Sequence, residues 1–121
     1  MPRRRHDRVR VTRVAGLGDD RVTRVVFDDL IVEDGRVAAM VVLSVSIEVE
    51  AGNTEGVYQR EPKLRDVFLQ VLFDHANTGG FSGSFTDGAN LIVLRTSLKE
   101  AATLVMGSVV RDVLITDIAR Q

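Results

Sequence analysis

Between Val37 and Val49 the chain alternates: Val37, Ala39, Val41, Leu43, Val45, Ile47 and Val49 share one parity, and Ser44, Ser46, Glu48 and Glu50 fall on the other. Period-two alternation rich in β-branched residues predicts a strand with one buried face. Its first half also carries Ala38, Met40 and Val42 on the second parity, so that half is expected to be covered on both sides. Upstream, β-branched residues dominate Arg21 to Val32, with Val25, Phe27 and Ile31 on one parity. Glu33-Asp34-Gly35-Arg36 lies between the two runs, and Asp-Gly is a favoured hairpin dipeptide. The two strands are therefore expected to pair as an antiparallel hairpin.

The period then changes. Ala51-Gly52-Asn53-Thr54 breaks the strand, and Leu64, Val67, Phe68, Val71, Leu72 and His75 step by three and four, marking one face of a helix over about 61–76. Pro62 suits its first turn, where a missing N–H costs nothing, and Asn77-Thr78-Gly79-Gly80 is its stop. Residues 77–88 form a Gly/Ser loop, expected to be a flexible connector, with Phe81 and Phe85 as candidate partner contacts. Asp87 is placed to cap a second helix whose stripe is Leu91, Leu94, Leu98, Ala101 and Val105, and Gly107 ends it. Val109 to Ile118 is a closing β-rich run. The order strand, strand, helix, helix, strand predicts an α+β two-layer domain, a small antiparallel-containing sheet with two main helices on one face.

A length of 121 residues fits one core, and 45% apolar with 27% charged residues describes a folding chain. No stretch approaches the ~18 apolar residues of a membrane span. Met1-Pro2-Arg3-Arg4-Arg5 resembles the basic start of a signal peptide without the apolar segment that should follow. The net charge of −1 hides an asymmetry: residues 1–24 hold eight Arg against three Asp, net +5, and the remainder holds eight basic against 14 acidic residues, net −6. Residues 1–20 are expected to be a basic, flexible arm on a single domain over 21–121. Arg8, Arg10 and Arg13 are its candidate contacts to an acidic protein face, nucleic acid or anionic lipid. Arg8 to Val14 fits an amphipathic strand and, equally, a juxtamembrane polybasic stretch.

The chemical inventory is short. Without cysteine there is no disulfide, thiolate zinc site or Cys nucleophile, and His6 and His75 are the only histidines. Thr78-Gly79-Gly80-Phe81-Ser82-Gly83-Ser84 lacks the Lys-Ser/Thr pair of a P-loop and the spacing of a nucleophile elbow. His75 lies on the apolar helix face and is expected to be a boundary histidine with a satisfied hydrogen bond. The pairs Asp19-Asp20, Asp28-Asp29 and Glu33-Asp34 match no calcium loop and are expected to be solvated turn charges. Aromatic residues are 5% of the chain and none falls in residues 1–24, so the arm has no platform for stacking bases. No enzyme, cofactor, metal or small-molecule substrate is expected.

A resemblance enters in the second half. Pro62-Lys63-Leu64-Arg65-Asp66-Val67-Phe68-Leu69-Gln70-Val71-Leu72 resembles the helix opening of the FliL family of flagellar basal-body-associated proteins. Leu94 to Ala101 resembles that family's second helix, and Val109 to Gln121 its closing strand, which typically ends on Gln. The resemblance covers roughly residues 36–121. It implies a stomatin-like (SPFH-like) domain on the periplasmic side of the bacterial inner membrane, whose anchor helix is not present in this chain. It further implies ring-like self-association and contact with flagellar stator and basal-body proteins. The alternative, from the residues themselves, is a binder of nucleic acid or an anionic surface through the Arg arm.

Overall fold

The computed structural model describes residues 9–13, 21–34 and 39–121. Four strands, β1 (Val9–Arg13), β2 (Val22–Asp34), β3 (Ala39–Glu50) and β4 (Val110–Arg120), form one sheet in the order β1-β2-β3-β4. Every neighbouring pair is antiparallel. Three helices separate β3 from β4: α1 (Thr54–Gln59), α2 (Glu61–Asn77) and α3 (Gly88–Met106), the last followed by a short 3-10 turn at Gly107–Val109. The domain is α+β, with one helical layer on one face of an antiparallel sheet. The expected order is present, extended by β1 and by α1.

The alternation of β3 sets the core. Val41, Leu43, Val45, Ile47 and Val49 are all buried and face α2 and α3. Leu64, Phe68, Leu72 and Ala76 answer from α2, and Leu94, Leu98 and Ala102 from α3. Phe68 meets Phe27 of β2 edge-to-face, with centroids 5.5 Å apart at 87°, an arrangement that suits the ring quadrupoles.

Strand β2 departs from simple parity. Phe27 pairs with Val45 but Leu30 pairs with Leu43, so one extra residue is inserted at Asp28-Asp29. Asp29 adopts φ +58°, a conformation that Asp tolerates better than most residues. The Asp28 carboxylate accepts the Ser44 hydroxyl at 3.0 Å. This bulge swaps the faces beyond it: Leu30 and Val32 turn into the core, and Ile31, expected to share a face with Val25 and Phe27, is 40% exposed. Asp28-Asp29 is thus a mid-strand device and not a solvated turn.

Two further expectations change. Among the described residues no layer covers the outer face of β3, so Met40 is 41% exposed; the buried outer residue is Ser46, flanked across the ladder by Val26 and Leu114. Residues 9–13, assigned to a flexible arm, form β1 and pair with β2 from Val9↔Phe27 to Arg13↔Thr23. The alternation that allowed an amphipathic strand wins here because β2 offers unpaired backbone groups along that edge. The remainder of the expected arm, residues 1–8 and 14–20, and the hairpin loop 35–38 lie outside the described residues.

Truncating the Phe27–Phe68 contact should be costly. Phe68→Ala is expected to lower unfolding free energy by about 3–5 kcal/mol, whereas Leu104→Ser on the exposed side of α3 should change it by less than about 0.5 kcal/mol, both read by urea denaturation.

Candidate functional site

Once every fourth residue of α2 is committed to the core, the helix has few apolar residues to spare, yet Leu69 and Phe73 lie off that stripe. With Tyr58 and Pro62, Leu69 lines an open groove of about 770 Å³ between α1 and α2, whose polar lining is Gln59, Glu61, Arg65 and Asp66. Two of those charges are already engaged. Arg65 Nε donates to the Glu61 carboxylate at 2.6 Å, a bond joining adjacent turns, and its guanidinium lies 5.5 Å from the Phe27 ring centroid. The groove is thus an apolar shelf with a fixed charged floor.

The same surplus marks α3. Ile92, Val93 and Leu104 are 58%, 59% and 88% exposed, outside the stripe that packs on the sheet. Val93 also borders a hollow of about 220 Å³ between α2 and α3, shared with Val71, Asp74, His75 and Ser97. These residues were missed because attention to the buried stripe leaves its remainder unread. The signal was present: three large aliphatic side chains in α3 fall outside the 3-4 spacing.

The loop after α2 is pinned, not a flexible connector. Phe81 is fully buried, so as a core residue it is unavailable as a partner contact. Its ring meets His75 edge-to-face at 4.9 Å. Asn90 donates to the carbonyls of Gly80 and Phe85 at 2.8 and 2.7 Å. From the end of β4, Arg120 donates to the Phe81 carbonyl at 2.9 Å and lies 4.7 Å from the centroid of Phe85, which is half-buried beneath it. Asp87 occupies the N-cap position of α3 but makes no side-chain capping bond.

His75 is half-buried, the boundary position expected for it, and keeps a hydrogen bond with the Gly80 backbone, but its Nε2 is enclosed without a partner, so the ring is satisfied only in part. Burial holds its pKa below the ordinary 6.5, partly opposed by a hydrogen bond with the Gly80 backbone. Of the candidate arginines, Arg10 and Arg13 stand on β1 at register positions opposite Val26 and Thr23, and Arg8 lies outside the described residues. Because β1 is part of the sheet, deleting residues 1–20 would remove structure as well as charge; reversing the charges separates the two. Among the described residues no three His, Asp or Glu are grouped to hold a metal ion, and no helix is long and apolar enough to cross a membrane.

No family model, curated protein or solved structure matches this chain. The three segments that resemble FliL fall on α2, α3 and β4.

A lowered histidine pKa carries a sign. The folded state prefers neutral His75, so its contribution is complete above about pH 6.5 and is lost as pH falls below that value through the folded pKa. The urea midpoint of the wild type should therefore fall more steeply between about pH 7.5 and 5.5 than that of His75→Gln, with the carboxylates common to both. A Cβ on Gly80 would overlap the His75 ring, which Phe81 backs. Gly80→Ala should cost about 1–3 kcal/mol in chemical denaturation, while Gly88→Ala, which meets open space, should not destabilise.

Proposed function

We propose that this chain is a non-enzymatic docking module of the FliL kind. It packs against neighbouring copies of itself and against stator and basal-body proteins of a bacterial flagellum, on the periplasmic side of the inner membrane. What carries the reading is the surplus of large apolar side chains on the helical layer: Tyr58, Phe73, Ile92, Val93 and Leu104 stand exposed although the core is filled without them. One exposed leucine is ordinary surface; five large apolar residues on one layer match what docking surfaces present. The resemblance of α2, α3 and β4 to FliL supplies the partner class. Tethering would supply the local concentration that a modest contact needs.

The test is photo-crosslinking in cells that carry the gene. A benzophenone amino acid at position 73, 93 or 104 should capture a second copy or a stator protein above the level at the polar control Glu100, and deletion of the gene should reduce swimming. Leu104→Glu should weaken capture from position 93 without loss of fold. Equal capture at all positions together with unchanged motility on deletion would overturn the proposal.

A further inference from the structure

Among the described residues strand β4 ends the sheet: it pairs there with β3 alone, and none of the described strands takes up the backbone N–H and C=O groups of its other edge. A hollow of about 180 Å³ lies along it, lined by Leu91, Ile92 and Arg95 of α3 and by Leu114 and Ile115 of β4. Leu114 pairs with Ser46 on the outer face and Ile115 with Val45 on the core face. Successive strand residues point to opposite faces, so a hollow touching both must lie over the edge itself. A strand edge beside a helix, with an apolar gap between them, is the setting in which an added peptide strand gains both ladder bonds and a side-chain pocket.

Charge selects the occupant. Arg95 and Lys99 lie one turn apart on the flank of α3 carrying Leu91, and among the described residues neither side chain has a hydrogen-bond or ion-pair partner. The acids of β4, Asp112 and Asp117, sit at outer-face positions opposite Glu48 and Ser44, away from the helical layer. The helix side of the groove is therefore basic as well as apolar. Length is limited too. Extra residues at Arg111 and Thr116 bulge β4 on either side of Asp112–Ile115, leaving four regular residues between them. Bulges of this kind oppose continuation of a sheet by a full-length strand and leave room for a short one.

We infer that the β4 edge groove binds a short extended segment of a partner protein with an apolar residue and, two positions away, an acidic one. The apolar side chain enters the hollow between α3 and β4, and the carboxylate, on the same face one pleat along, meets Arg95. This rests on the docking reading and adds strand pairing as a mode of contact, at a groove that shares Ile92 alone with the five exposed helix residues.

The probe is a seven-residue capped peptide centred on Val-Thr-Asp, titrated into the isotope-labelled full chain and followed by NMR. Shifts are expected at Leu91 to Arg95 and Asp112 to Ile115. Arg95→Glu, at an exposed position, should weaken binding about threefold to tenfold and restore it for the Val-Thr-Lys peptide. No shifts at about 5 mM peptide, equal binding by Arg95→Glu, or shifts at this edge that follow protein concentration and ignore peptide would each overturn the inference; the last makes a second copy the occupant. Crosslinking from position 104 that persists when the peptide fails sinks the groove and leaves the docking module standing.

Discussion

The one-sided burial of β3 is the constraint from which the rest of the molecule follows. Five alternate residues from Val41 to Val49 lose essentially all contact with water, each worth about 1.5–3 kcal/mol, and that gain exists only if a second layer covers that face. The helices supply the layer because their apolar residues recur at three and four, matching a flat apolar floor. Strands β2 and β4 align with β3 on either side and widen that floor. A one-residue slip of β3 would put Ser44, Ser46 and Glu48 under Phe68 and Leu98, so the register has no near competitor.

That constraint explains what the sequence disclosed and what it hid. The alternation of β3, the α2 stripe and the glycines at 79 and 107 are local signals that appear where period or turn chemistry predicts. The buried stripe of α3 keeps Leu94 and Leu98 but continues to Ala102, leaving Leu91, Ala101 and Val105 half-buried at its margins. Ile31 was hidden because a bulge is a local interruption with a long-range effect: one inserted residue at Asp28-Asp29 reassigns every side chain beyond it. Only the register against β3 reveals it, although two consecutive acids in an apolar run were a clue. Strand β1 was hidden for another reason. Val9–Arg13 carries too much charge to be read as a core strand, and its place depends on the free edge of β2 more than on its own propensity.

The loop between α2 and α3 shows composition misleading in the opposite direction. Its Gly and Ser residues suggest freedom, but Phe81 is inserted into the core and its carbonyl is held by Arg120 from the far end of the chain. Gly80 serves close approach: without a Cβ, its backbone lies against the His75 ring. His75 thus became the edge of an aromatic contact, giving up the hydrogen bond on Nε2 that an exposed position would allow. The candidate site was legible only in part for the same reason. Phe81 and Phe85 were identifiable as the loop's apolar residues, but whether they faced water depended on Asn90 and Arg120, distant partners that no local pattern names.

The surfaces left over differ in kind, and the difference bears on how the molecule makes contacts. Tyr58, Pro62 and Leu69 in the α1–α2 groove form a shelf in which Glu61 and Arg65 are already paired, and Leu104 stands exposed near the C-terminal end of α3. Such surfaces gain by excluding water and place few demands on a partner's geometry. The β4 edge is stricter, because backbone pairing fixes direction and register, and bulges at Arg111 and Thr116 limit how far it extends. A molecule with both can hold a partner loosely through the helical layer while one short segment fixes its orientation. Two weak contacts joined in this way give an affinity neither provides alone, with the edge contributing specificity and the helical face most of the buried area.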